Sequence, residues 1–245
     1  MTWSIIAKDP DTGFFGIAIA SRFFAVGMLC PWAEGRVGAV CTQALMNPGF
    51  GPRGLGLLRE GLRAADVRDM LAASDLVSDQ RQLHVMDAEG TTAAHTGDNC
   101  VDWCGHLSKA GLSVAGNMLA GPQVVARTFE TFREATELPV VDRLLAAMEA
   151  GEAAGGDKRG KQSAALLIQG PEPYPRLDLR ADDHEDPLAE LRRLYAVARE
   201  RFIPFSAAFP RPERPYGLTD RAVIEKIIER DAGKPLQPGV ETPEG

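Results

Sequence analysis

Short apolar runs separated by glycine- and proline-rich turns dominate the first forty residues, and they predict strands. Residues 3–8 and 14–20 are β-branched, aromatic or small and apolar, and the Asp9-Pro10-Asp11-Thr12-Gly13 stretch between them suits a tight turn. A third run, Val37 to Thr42, follows Gly35, and Asn47-Pro48-Gly49 with Gly51-Pro52 closes the strand region. From Gly54 the period changes. Leu55, Leu58 and Leu62, then Val67, Met70 and Leu71, recur at helical spacing, which implies one helix or two short ones. Residues 82–88 and 91–96 read as a hairpin around Glu89-Gly90, and Val114 to Met118 as a strand before the Gly121-Pro122 break.

Two helical stripes follow, one through Val124, Val125, Phe129 and Phe132, the other through Val141, Leu144, Leu145 and Met148, stopped by Gly155-Gly156. Ala164 to Ile168 reads as a buried strand and Arg176 to Arg180 as another. Asp186-Pro187 then supplies an N-cap carboxylate and a proline at the first helical position, ahead of an apolar stripe through Leu188, Leu191, Leu194, Ala198 and Phe202. After a proline-rich stretch comes a polar helix around residues 219–231, and the last residues read as a loose tail. Hairpin-joined strands favour antiparallel pairing, with the helix pairs covering the outside. Two sheets face to face fit this order, and so does a single mixed sheet with helices on one face. The boundaries read are a main domain over residues 1–183 and a C-terminal helical extension and tail over 184–245.

At 245 residues the chain can bury one substantial core. Its formal net charge of −7 argues against a nucleic-acid surface and offers no polybasic membrane signal. No apolar run approaches membrane-spanning length, and an acidic turn stands where a signal peptide needs its apolar region, so a cytoplasmic protein is expected. Cys30, Cys41, Cys100 and Cys104 are then expected to be reduced. Cys100, Cys104 and His106 invite a zinc reading, but there is no second ligand pair and the spacing exceeds the usual C-x-x-C, so no metal is expected.

Polar residues cluster where the expected strands end: Ser21-Arg22, Thr42-Gln43, Thr96-Gly97 and Gly116-Asn117, with the densest run from Gly155 to Ser163 just before an apolar strand. Strand ends on a layered sheet are where side chains converge on a shared cleft. The Gly155–Ser163 run resembles a phosphate loop in composition only, because it lacks the G-x-x-x-x-G-K-[ST] spacing and precedes a strand. His84 and His106 read as hydrogen-bonded structural histidines. Neither a Ser-His-Asp order, a G-x-S-x-G elbow nor an HExxH motif is present. Thr2 stands apart: a hydroxyl at the head of a strand, which would share its residue with a free α-amine once Met1 is removed. An α-amine titrates near neutrality and can act as the hydroxyl's general base.

Together, Thr2-Trp-Ser-Ile-Ile-Ala, the Gly16–Gly27 run, Gly38-Ala-Val-Cys-Thr-Gln-Ala, Gly116-Asn-Met-Leu-Ala and the Gly155–Leu166 run resemble the DUF1028 family over roughly residues 2–203. That bacterial family of unsettled reaction is assigned to the N-terminal-nucleophile (Ntn) hydrolases. The resemblance implies an α+β fold, a four-layer αββα sandwich of two mainly antiparallel sheets, with Thr2 in the cleft between them as nucleophile and base together. The opening is also similar to that of proteasome β subunits, where an acidic residue closely precedes an arginine; here Ser21 precedes Arg22.

Chemistry suggests the remaining roles. Asn117 would donate to an oxyanion. Asp157 or Ser163 would hydrogen-bond the α-amine. Arg22 and Arg159 would hold a substrate carboxylate bidentately, while Ser21, Gln43 and Gln162 contact substrate or water. The reaction expected is hydrolysis of a small amide or amino-acid derivative, without cofactor or metal. Expected partners are that small molecule and further copies of the chain, as a dimer or higher homo-oligomer, but neither nucleic acid nor membrane. The alternatives are a non-catalytic ligand-binding protein using the same cleft, and an oligomerisation arm formed by residues 184–231.

Overall fold

The computed structural model describes residues 2–236, so Met1 and the expected tail, residues 237–245, lie outside it. The chain divides into two compact units, Met1–Leu191 and Arg192–Gly245. In the first unit, six strands pair in one antiparallel sheet: β1 (Thr2–Lys8), β2 (Phe15–Ser21), β7 (Gly105–Lys109), β8 (Leu112–Asn117), β9 (Ser163–Gln169) and β10 (Leu177–Ala181). Their order is β10-β9-β2-β1-β8-β7, so β1 and β2 are central. The second sheet is β3 (Pro31–Glu34), β4 (Gly38–Ala44), β5 (Arg81–Asp87) and β6 (Thr92–Thr96), in that order and again antiparallel.

Helices α1 (Phe50–Arg59) and α2 (Ala64–Ala73) cover the outer face of the four-stranded sheet, where Phe50, Leu55, Val67 and Leu71 pack on Val40, Leu83 and Val85. Helices α3 (Pro122–Glu134) and α4 (Val140–Ala153) cover the outer face of the six-stranded sheet. The result is a four-layer αββα sandwich, the two-sheet alternative of the sequence reading. Gly16 lets α4 approach β2 closely: a Cβ there would lie 2.6 Å from Leu144 Cδ1. The helical stretch after Gly54 is two helices, because Gly61 takes a left-handed φ of +85° between them. Asp87 ends β5 by accepting from Glu89 N and Thr91 N in the hairpin turn, and its other oxygen accepts from Ala64 N at the start of α2.

Two strands went unread in the sequence. β3 is a four-residue edge beginning with proline, and β7, Gly-His-Leu-Ser-Lys, is an exposed edge strand with no apolar run. Short, polar edges are how sheets avoid pairing with other chains, and the same property hides them from a hydrophobicity pattern.

Helix α5 (Pro187–Glu200) starts where the proline signal put it, with Asp186 accepting from Ala189 N. In the second unit, α6 (Phe202–Phe205) and α7 (Arg221–Asp231) pack together around Ala208, Leu218, Ile224 and Ile228. Asp220 caps α7 by accepting from Ala222 N and Val223 N. No helix among the described residues is long and apolar enough to cross a membrane.

Candidate active site

Alternation along β1 divides its side chains between two environments. Trp3 lies toward α3 and α4, where its indole edge adjoins Gly151 and Thr128. Thr2, Ser4 and Ile6 face the other sheet. The same period acts on β4, β5 and β8, and the seam between the sheets divides into two halves. One half is apolar, with Ile6, Phe15, Ile17, Ile19, Val26, Cys30, Cys41 and Met86 packed together. The other half is polar: Thr2, Ser4, Gln43, Gln82, His84, Ser113 and Asn117 are all buried. Buried polar groups must find partners, and these find one another.

Strand register assembles the cluster. Thr2 pairs with Asn117 across β1 and β8, while Gln43 pairs with Gln82, and Gln82 with Thr96, across β4, β5 and β6. The Thr2 hydroxyl donates to Ser21 Oγ at 3.1 Å. The Thr2 carbonyl accepts from Asn117 Nδ2 at 3.4 Å and from Gln43 Nε2 at 3.5 Å. Gln82 Oε1 gathers both amides, 2.8 Å from Gln43 Nε2 and 3.0 Å from Asn117 Nδ2. Ser4 donates to Gln43 Oε1 at 2.7 Å and lies 2.9 Å from His84 Nε2, and His84 Nδ1 lies 3.0 Å from Ser113 Oγ. Ala44 and Met118, which follow Gln43 and Asn117, take left-handed φ of 67° and 54°. Such conformations cost about 1–2 kcal/mol in residues other than glycine and concentrate where function constrains the backbone.

Burial explains the titration behaviour. It pushes His84 down to about 3, with nearby His106 a smaller contributor, so the ring is neutral. It pushes the Cys41 thiol up to about 12 and Cys30 higher still, which leaves neither thiol nucleophilic at neutral pH. Cys100 donates to Arg81 O, Cys104 to Cys100 O, and His106 bonds Thr96 Oγ1. Among the described residues no group of three His, Cys, Asp or Glu side chains is placed to hold a metal ion.

Of the residues expected at the site, Ser21, Gln43 and Asn117 meet at Thr2. Asp157 and Ser163 are buried nearby, but the hydrogen bonds found for them go elsewhere. Asp157 accepts from the Arg22 and Arg159 backbone amides, both at 2.8 Å, and pairs with the Arg159 guanidinium at 3.2 Å. Ser163 donates to Phe23 O and accepts from Val26 N at 3.1 Å. Both residues pin the chain leaving β2. Asp157→Asn is therefore expected to destabilise the protein by about 1–3 kcal/mol and to speed exchange of the Arg22 amide, read by urea unfolding and hydrogen exchange. Unchanged values of both would show that something else holds this loop.

Arg22 and Gln162 line an open depression of about 740 Å³ with Lys161, Asp183, His184 and Glu185. Gln162 N also donates to Ser21 O at 3.2 Å, which sets this depression one residue from the Thr2 partner. The residues missed by the sequence reading are Gln82 and Ser4, along with the part played by His84. Their signal was present as alternation, Gln82-Leu-His84-Val and Thr2-Trp-Ser4-Ile, but a polar alternate face ordinarily means solvent.

Fold and seam define an αββα sandwich with a threonine at the head of a central strand. The chain belongs to the DUF1028 family, described as a family of unknown function, whose model matches residues 2–191. It is similar to protein SPO2555 of Silicibacter pomeroyi, a DUF1028 protein of known crystal structure, with 33% identity, 90% of this chain and 96% of that chain covered, and a TM-score of 0.83. A Gly-1 mutant of Anbu from Hyphomicrobium sp. strain MC1 overlaps 81% of this chain and 94% of its own, at 13% identity and a TM-score of 0.42. Anbu (ancestral beta-subunit) from Yersinia bercovieri overlaps 89% and 100%, at 11% identity and a TM-score of 0.34. No curated protein matches the chain.

Proposed function

We propose that this protein is an N-terminal-nucleophile amidohydrolase whose Thr2, freed by removal of Met1, hydrolyses the C–N bond of a small amide or amino-acid derivative. The observation that carries this reading is the setting of Thr2: first residue of a central strand, hydroxyl bonded to Ser21, carbonyl flanked by two side-chain amides. The partners found for Thr2 are neutral, so no ionisable side chain bonded to it activates the hydroxyl. The base is then the α-amine, and it exists only without Met1.

In this mechanism the α-amine takes the hydroxyl proton as Oγ1 attacks the amide carbon, giving a tetrahedral oxyanion. Collapse breaks the C–N bond, and the ammonium returns its proton to the leaving nitrogen. Water, activated by the same amine, hydrolyses the acyl ester and restores Thr2. Asn117 supplies an oxyanion donor by giving up its long 3.4 Å bond to the Thr2 carbonyl while keeping the 3.0 Å bond to Gln82. Arg22, on the wall of the neighbouring depression, holds a substrate carboxylate.

Intact-mass spectrometry of freshly purified protein, paired with a screen for amine release from small amides, tests the reading. A mass lower than the full chain by one methionine residue, with turnover, is expected. A mass that always includes Met1 would sink the mechanism. The neutrality of the Thr2 partners favours one alternative, a ligand-binding cleft without catalysis. That alternative expects retained Met1 and ligand-induced thermal stabilisation unaffected by Thr2→Ser.

A further inference from the structure

Two backbone carbonyls determine the sense of the hydrogen bonds through the polar seam. Gln82 Nε2 lies 2.8 Å from Gly116 O and 3.2 Å from Gly105 O, with Thr96 Oγ1 at 2.9 Å. Carbonyl oxygens only accept. Turning this buried carboxamide over would set its oxygen against two carbonyl oxygens, so the NH2 group takes that side. Gln82 Oε1 then faces Gln43 and Asn117, and both must present NH2 to it. Gln43 Oε1 is left facing Ser4, whose single hydroxyl proton is spent there. Ser4 Oγ can therefore only accept from His84 Nε2, which must carry the ring proton. His84 Nδ1 is bare and accepts from Ser113, and Ser113 accepts in turn from Ser108 at 2.9 Å.

We propose that His84 is locked as the neutral tautomer protonated on Nε2, and that through Ser4 it is a positioning residue that holds, from the Oε1 side, the Gln43 carboxamide whose NH2 side Gln82 sets. The tautomer follows from the seam alone, whereas the consequence for turnover rests on the reading of Thr2 as nucleophile. A reversed Gln43 would place its oxygen against the Thr2 carbonyl and against Gln82 Oε1. The end of β1, where the nucleophile sits, would then lose its alignment with β4.

Nitrogen-15 NMR of histidine- and glutamine-labelled protein tests both halves. Long-range proton–nitrogen correlations at neutral pH should show His84 protonated on Nε2, its signals assigned by their loss in His84→Gln. A ring protonated on Nδ1, or a fast mixture of tautomers, overturns the proposal. Ser4→Ala removes the link, so the His84 tautomer should change and the Gln43 NH2 protons should exchange at least about tenfold faster, while Ser4→Thr retains the wild-type pattern. Unchanged Gln43 exchange in Ser4→Ala would overturn the positioning role. On any amide the wild type hydrolyses, Ser4→Ala should lower kcat about tenfold or more with KM within about twofold. An unchanged kcat overturns the consequence for turnover. Should the wild type hydrolyse no amide, the Thr2 reading fails on that ground, and the NMR results still decide the tautomer and the Gln43 orientation.

Discussion

Thr2→Ala is expected to abolish amide hydrolysis, with a loss on the order of 10⁴- to 10⁶-fold, the scale on which removal of an attacking hydroxyl acts in other acyl-transfer enzymes. Its structural cost is modest, because alanine forfeits the 3.1 Å bond to Ser21 and the buried γ-methyl, each worth about 1 kcal/mol, and leaves the backbone pairing of the strand with Asn117 in place. Thr2→Ser keeps hydroxyl and amine and should retain turnover. A protein made with a cleavable leader ahead of Thr2 should be inactive, then become active when the leader is cut away to expose the threonine amine. Hydrolysis by the Ala variant, or by the uncut leader form, would show that Thr2 is not the nucleophile. Steady-state kinetics on the uncut and cut forms of one preparation separates these outcomes without comparing different folds.

The second large effect concerns acid. His84 has no exposure and stays neutral in the folded protein down to about pH 3, whereas in the unfolded chain it takes up a proton near 6.5. The unfolded state thus binds the extra proton between those values, and stability falls as pH drops through that window. The slope approaches roughly 1.4 kcal/mol per pH unit, for a loss of about 3 kcal/mol between pH 7 and pH 4. Above about pH 8 the histidine adds almost no slope. Asp75, held below the usual carboxylate range chiefly by its bond to Asn47, adds its own loss only at the acid end of the window. Urea unfolding of wild type and His84→Gln from pH 7 to pH 4 isolates the histidine. The two curves should converge as pH falls, and parallel curves would mean that the buried ring is not what makes the fold acid-sensitive.

Much of this fold was readable because each of its main elements repeats one simple signal. β2 and β9 are nearly continuous apolar runs since each is covered on both faces, and α3 and α4 carry clean helical stripes ended by a loop or glycines. β3 and β7 carried no such signal, because an edge strand has little to bury. Around the site, Thr2 was legible from position and chemistry, and Ser21, Gln43 and Asn117 from being polar residues at strand ends. Asp157 and Ser163 looked equally suited from their positions. Their bonds to the backbone after β2 are a matter of where that loop folds back, which residue type does not reveal.

By itself, the sequence determined where most strands and helical stripes lie and that a threonine heads the first strand, although α1 begins at Phe50, ahead of the Gly51-Pro52 break, and α5 ends at Glu200, short of Phe202. It could not determine what covers each face of a strand, since a period of two separates two faces without naming their neighbours. Only the docking of the four-stranded sheet on the six-stranded one turned the polar faces of β1, β4, β5 and β8 inward. There, buried, Gln82, Gln43, Asn117, Ser4 and His84 bond one another, the Thr96 and Ser113 hydroxyls, and the carbonyls of Thr2, Gly105 and Gly116.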